Sequence, residues 1–163
     1  MERTKIGIIA VVLGSLIALF TGIGLLLILG LVIVWLARKD LTLEHKRCAN
    51  FSLILFISLF IFSLGLILYS PASKESVYLA NFIYYYGLTL VLAVLPYGLL
   101  TVFGKYVVGV SIFSSSLGYG TLLIESPLAR PCVFLAQIAV FVVYFIAYKN
   151  VDVLKAQLTK PKE

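Results

Sequence analysis

Apolar and polar residues follow one another along this chain in long blocks, and the apolar blocks have the lengths of membrane-spanning helices. Residues 6–37 contain no charged side chain and lie between Arg3 and Lys5 on one side and Arg38 on the other. A helix of that length would be roughly 48 Å long, well beyond a hydrocarbon core of about 30 Å. The pattern therefore predicts a first transmembrane helix that is overlong.

The remaining apolar blocks predict four further helices. Residues 51–69 and 132–148 each match one span, and residues 77–124 are long enough for two. Lys105 is the single charged residue within 77–124. A lysine at mid-depth costs roughly 2.5 to 3.5 kcal/mol, so we place the turn at Gly104-Lys105. The alternative turn is Pro96-Tyr97-Gly98, which would put Lys105 inside the fourth helix.

The predicted fold is an all-α integral membrane protein with one polytopic domain, 1–163, and a short cytoplasmic C-terminal tail, 149–163. Its five-span helical bundle comprises helices at about 6–37, 51–69, 77–103, 106–124 and 132–148. In the tail, Val151, Leu154 and Leu158 recur at helical spacing among lysines, which favours a short helix on the membrane surface.

The first block also permits a second arrangement. A turn at residues 21–24 would divide it into a hairpin of two short helices and give six membrane segments. Small residues recur at every fourth position of the block, and such a small-xxx-small ladder lets another helix approach closely. The members of this packing interface are Ala10, Gly14, Ala18 and Gly22. We predict one long helix, because the ladder runs on without a break and each arm of a hairpin would be too short to cross fully.

Composition excludes a soluble globular protein. Apolar residues make up 62% of the chain and charged residues 12%, against norms of about 45 to 50% and 25% for soluble domains. The net charge of +6 comes from Lys and Arg at block ends and in the tails. That placement indicates membrane topology and contact with lipid headgroups rather than a nucleic-acid partner.

The positive charges predict an orientation. With five spans, nine basic residues share a side with the C-terminus, and Arg3, Lys5, Lys74 and Arg130 lie on the other. Because basic residues concentrate on the inner side, the C-terminus is expected in the cytoplasm and the N-terminus outside. Arg3 and Lys5 fit this orientation poorly, and only the hairpin alternative would move them to the inner side.

One segment resembles a known family. Residues 34–52, VWLARKDLTLEHKRCANFS, are similar to a segment of small prokaryotic membrane proteins of unassigned function that are related to the plastid protein-import family. In those proteins a short hairpin precedes the segment. The resemblance covers fewer than twenty residues, carries no catalytic motif and does not extend to the last three predicted spans.

Charged and metal-binding chemistry has few candidate residues within the predicted spans. All seven acidic residues fall in connectors or tails, whereas proton relays and carboxylate ion sites lie inside the membrane region. His45, the single histidine, lies three positions before Cys48, but a zinc site needs at least one more protein ligand. We therefore expect no catalytic residue, no metal and no cofactor within the chain, and a membrane enzyme is a third hypothesis, which requires a partner's residues beside the loop that contains His45.

Uncharged polar residues are the remaining candidates for a site. Asn81, Tyr85 and Thr89 recur every four residues and share one face of the third predicted helix. Ser115 in the fourth helix and Gln137 in the fifth are comparable. Two interpretations stay open. These groups either form interhelical hydrogen bonds of about 0.6 kcal/mol each, or line a polar cavity for a neutral or quinone-like ligand.

The sequence thus predicts a non-catalytic, multi-pass membrane protein. The leading hypothesis is an accessory or scaffold subunit of a membrane complex, in contact with the lipid bilayer and with other membrane subunits or a second copy through its ladder. The alternative is a small transporter or channel for a neutral solute or a lipid-like ligand. That alternative requires a water-accessible cavity at mid-depth.

Overall fold

The computed structural model of the protein describes residues 2–21, 25–40, 42–69, 74–122 and 126–159. Within those ranges the chain forms six α-helices, two short 3-10 turns and no β-strand, which confirms the predicted all-helical fold class. The helices are α1 (Glu2–Thr21), α2 (Leu25–Leu36), α3 (Leu43–Tyr69), α4 (Lys74–Val94), α5 (Val102–Leu122) and α6 (Ala129–Thr159).

Three helical segments are long and apolar enough to cross a membrane: Leu43–Tyr69, Phe82–Leu99 and Ala129–Ala156. They support the predicted membrane location of a helical bundle. The count of five spans is not confirmed by the described residues, since three segments meet both conditions.

The first apolar block forms two packed helices, so the prediction of one long helix is wrong and the hairpin of the alternative is present, although its six membrane segments are not confirmed. α1 and α2 run antiparallel, with Gly7 beside Val34 and Gly30 beside Val11. A Cβ built on Gly14 would lie 2.5 Å from the Cα of Leu27, far inside van der Waals contact at about 3.5 to 4.0 Å. Glycines therefore let the two backbones touch. Residues 22–24 of the predicted turn lie outside the described residues.

The connection between α4 and α5 also differs from the preferred prediction. α4 ends at Val94, and a 3-10 turn at Tyr97–Leu99 leads into α5, so the turn at Gly104-Lys105 is wrong and the one at Pro96 is correct. Proline has no N–H to continue a helix. Lys105 lies in the first turn of α5, where its Nζ is 2.6 Å from Oε1 of Glu44. The lysine is thus paired at the end of the bundle and not buried at mid-depth.

Two polar connectors are more helical than their composition suggests. α3 begins at Leu43, eight residues before its apolar block, because the Oγ1 of Thr42 accepts a hydrogen bond from the N–H of His45 at 3.3 Å. This is the geometry of an N-cap. At the other end of the chain, α6 continues to Thr159. The described part of the tail is therefore the end of α6 and not the separate surface helix that was predicted.

One end of the bundle, which we call the basic end, gathers the start of α1 and the distal part of α6. Nζ of Lys5 is 2.5 Å from Oδ2 of Asp152, and Nδ2 of Asn150 donates to the carbonyl oxygen of Leu99 at 2.7 Å. The start of α1 and the distal part of α6 therefore lie at the same end of the bundle. The basic residues described at this end are Arg3, Lys5, Arg38, Lys39, Lys46, Arg47, Lys105, Lys149 and Lys155.

The core lies between the hairpin and helices α4 to α6, while α3 is largely uncovered. α5 and α6 pack through small residues: Oγ of Ser111 donates to the carbonyl oxygen of Ala136 at 3.4 Å, and a Cβ on Gly118 would lie 2.8 Å from the nitrogen of Val133. Close approach of this kind is typical of helices that pack within membranes. In α3, the buried residues are His45, Ala49, Ser52 and Ser63.

Candidate functional site

A cavity of about 140 Å³ lies between the hairpin and helices α4 to α6. Apolar side chains from α2 and α4 complete its wall, and none of its lining residues is charged. A cavity of roughly 150 Å³ admits a molecule the size of benzene. Its polar lining residues are Ser15 of α1, Tyr85 and Thr89 of α4, Tyr119 of α5 and Gln137 of α6.

α4 supplies two of the polar groups because Tyr85 and Thr89 are one helical turn apart and share a face. Oγ1 of Thr89 donates to the carbonyl oxygen of Tyr85 at 3.0 Å, which fixes the threonine side chain. Thr89 is 3% exposed, whereas Tyr85 is 55% exposed and forms the outer edge of the cavity. Tyr85 is in turn held edge-on against Tyr84, with ring centroids 5.6 Å apart.

Ser15 lies in the cavity wall because the hairpin turns this face of α1 inward. Its side chain is buried, and its Oγ has no hydrogen-bond partner among the described residues. A buried hydroxyl left unsatisfied costs about 1 to 3 kcal/mol. Water or a ligand inside the cavity would remove that cost. Ser15 is not among the predicted site residues, because its place in the cavity depends on the hairpin and the prediction was one long helix.

Tyr119 and Gln137 close the cavity from the side of α5 and α6. The ring of Tyr119 packs against Phe82 and Tyr86, with centroids 5.7 and 5.6 Å away, and its hydroxyl lies beside Thr89. The amide of Gln137 provides two hydrogen-bond donors and one acceptor oxygen. Together these groups can both donate to and accept from an uncharged polar molecule. Tyr119 was not among the predicted site residues, although it falls in the glycine- and serine-rich stretch of α5.

Three of the five predicted ligand residues, Tyr85, Thr89 and Gln137, meet at this cavity. Ser115 is fully buried in the packing of α5, and its Oγ donates to the carbonyl oxygen of Ser111 at 2.8 Å. The side chain of Asn81 lies outside what the structure describes.

The predicted packing ladder is partly used within the chain. Ala10 and Gly14 lie on the side of α1 that contacts α2, where a Cβ on Gly30 would approach the backbone of Ala10 to 2.8 Å. The side chain of Ala18 and all of Gly22 fall outside the described part of the chain. The ladder positions that can be placed therefore serve the hairpin.

The basic end contains a second group of polar residues. His45 is fully buried against the backbone of Gly98, and both of its ring nitrogens lack a partner among the residues described. No group of three His, Cys, Asp or Glu side chains that could hold a metal ion occurs in the described ranges. Hydrogen bonding to Glu44 raises the pKa of Lys105. The lysine therefore remains charged at neutral pH.

Comparisons with protein-family models, with curated proteins and with solved structures found no match to this chain. The cavity and its chemistry are therefore the basis for a functional proposal.

Proposed function

We propose that this protein binds a small, uncharged polar solute in the cavity and carries it across the membrane, as a channel or a carrier. The observation that supports this proposal is the convergence of uncharged hydrogen-bonding side chains from four helices on one cavity. The hydroxyl of Ser15 strengthens it, because that buried group has no hydrogen-bond partner among the described residues and a cavity occupant would satisfy it.

The lining restricts the chemistry of the solute. A charged solute in an apolar bundle needs a counter-charge, and the cavity offers none. A volume of about 140 Å³ suits a molecule of a few heavy atoms, such as urea or glycerol. Hydroxyls and the Gln137 amide act both as donors and as acceptors, which matches a polyol or an amide.

A topology follows from the distribution of basic residues. Nine of the eleven Lys and Arg residues in the described ranges lie at the basic end, so we place that end, with both termini, in the cytoplasm. In this arrangement α3 to α6 cross the membrane, and α1 and α2 enter it as a hairpin from the cytoplasmic side. α2, with 12 residues, would be about 18 Å long, too short to cross a core of about 30 Å.

Solute flux into liposomes tests the proposal. Vesicles containing the full-length protein should reswell in urea or glycerol faster than empty vesicles, as measured by stopped-flow light scattering, and should exclude sucrose. Thr89→Val removes one lining hydroxyl without changing the volume, and Gln137→Leu removes the amide. Both should reduce the flux. Thr121→Val is the matched control and should leave the flux unchanged, because the Thr121 hydroxyl also donates to the carbonyl oxygen four residues earlier but does not line the cavity.

Reswelling no faster than in empty vesicles would refute transport of these solutes. Equal flux through Thr89→Val, Gln137→Leu and the unmodified protein would show that the solute does not pass the cavity.

The accessory-subunit hypothesis remains a second proposal, although its first basis is weakened. Ala10 and Gly14 contact α2 of the same chain and are not available to a partner helix. A partner would instead pack against α3, because four of its 27 residues are buried and the rest of the helix is accessible. A single stable oligomer or a co-purifying membrane subunit in mild detergent, lost on substitution along the exposed side of α3, would support this second proposal.

A further inference from the structure

Two apolar grooves flank Phe145 on the outer surface of α6, close to the basic end. The first, of about 430 Å³, lies between α1 and α6, with Leu13 and Phe141 at its inner end and Tyr148 at its outer end. The second, of about 210 Å³, lies on the other side, between Thr101 and Val153. Phe145 lines both grooves and is 62% exposed, so it forms a ridge between them.

An ammonium group lies beside each groove. Nζ of Lys149 is 5.4 Å from the ring centroid of Phe145, and Lys149 itself lines the second groove. Nζ of Lys5 is 4.9 Å from the ring centroid of Tyr148, at the mouth of the first. Lys5 is paired with Asp152, whereas Lys149 forms no ion pair with a carboxylate in the described ranges. Lys149 therefore has its charge available to an anion.

From these features we infer that the grooves bind one anionic diacyl phospholipid of the leaflet at the basic end. One acyl chain lies on each side of Phe145, and the phosphate contacts Lys149 with Lys5 nearby. The direction of the first groove agrees with a lipid in that leaflet: the headgroup lies level with Lys149, and the groove runs from Tyr148 toward the middle of the bundle. Anionic lipids are attracted to clustered basic residues at a membrane surface. This inference is independent of the solute cavity.

Tryptophan quenching by brominated lipids measures occupancy at this position. Phe145→Trp retains an aromatic ridge and places a reporter between the grooves. The native Trp35 is buried and hydrogen-bonded to Ser52, so it adds a constant background. Phe51→Trp is the matched control, because Phe51 is 59% exposed and has Arg47 one turn away, as Phe145 has Lys149, but it lies on the uncovered helix α3.

The full-length variants are reconstituted in phosphatidylcholine vesicles that contain brominated phosphatidylglycerol or brominated phosphatidylcholine. We expect the ratio of quenching by phosphatidylglycerol to quenching by phosphatidylcholine to be clearly larger at position 145 than at position 51. Lys149→Gln should lower that preference about fivefold, the contribution of one basic residue near a membrane surface, and Lys149→Arg should retain it. Filling the grooves with Ile9→Phe and Val153→Phe should reduce quenching by both lipids at position 145 alone.

Several results would overturn the inference. One is an equal preference at positions 145 and 51, which would indicate general attraction to surface charge. Another is a preference at position 145 that Lys149→Gln leaves unchanged. Quenching that survives the groove-filling changes would show that the chains do not occupy the grooves. Unchanged fluorescence of Trp35 in the Lys149 and groove-filling variants, measured with the native residue at position 145, verifies that these proteins are folded.

Discussion

Replacement of Gly14 by alanine tests the hairpin directly. The added methyl group would lie 2.5 Å from the Cα of Leu27 and 2.7 Å from the carbonyl carbon of Leu26. Both are backbone atoms, which cannot rotate away as a side chain could. One of the two helices must therefore shift, and overpacking of this kind costs about 1 to 3 kcal/mol.

Gly65→Ala provides the control, since a Cβ at Gly65 in α3 has no atom of the described residues within 4 Å. Alanine is intrinsically better than glycine inside a helix by about 1 kcal/mol, and this gain applies to both variants. The difference in their free energies of unfolding thus isolates the clash. We expect Gly14→Ala to be less stable than Gly65→Ala by about 1 to 3 kcal/mol.

The measurement is unfolding of the purified chain in mild detergent by added sodium dodecyl sulfate, followed through the fluorescence of the buried Trp35. Equal stability of Gly14→Ala and Gly65→Ala would refute the contact between α1 and α2. If Gly14 instead faced a partner protein, Gly14→Ala would reduce the mass of an oligomer and leave the unfolding of the monomer unchanged.

Two further predictions concern the basic end. The first uses a chain without its native cysteines and an impermeant thiol reagent. Arg3→Cys should react from the cytoplasmic side and Pro127→Cys from the opposite side. Labelling of both from one side would contradict the proposed topology. The pair of Lys105 with Glu44 raises the pKa of the lysine, so its contribution to stability is present below the ordinary lysine pKa of about 10.4 and is lost as pH rises through the raised value. Thermal unfolding should therefore show a loss of stability above about pH 10 that is smaller in Lys105→Met. Identical profiles would exclude a contribution from this partly exposed pair, expected at about 0 to 1 kcal/mol.

Block lengths and turn chemistry were sufficient to predict some parts of the fold. The end of α3 at Tyr69 coincides with the end of an apolar block, and Pro96 marked a possible helix end. The hairpin was harder to predict because the small residues that permit a tight turn and close packing also occur in a straight packing helix. The charges of Arg3 and Lys5 were the signal for it, since only a hairpin brings them to the basic end.

The site was predictable where its residues share one helix. The spacing of Tyr85 and Thr89 is enough to place them on one face, whatever the neighbouring helices do. Ser15 required knowledge of the hairpin, and Ser115 required knowledge of which side of α5 meets α6. The rotation of a helix about its axis depends on all of its neighbours. When a membrane helix is apolar and carries small residues on several sides, its sequence does not indicate which side faces the rest of the bundle.

The contact between Lys5 and Asp152 joins the first helix to the last and determines when the protein can become complete. The cavity needs Ser15 from α1 and Gln137 from α6, and the first groove lies between the same two helices. During synthesis the side of α1 that packs against α6 therefore stays uncovered until α6 has been made. Contacts between distant parts of a chain form late and slow its folding. A chain stopped before α6 would still form the hairpin but would have neither the cavity nor the first groove.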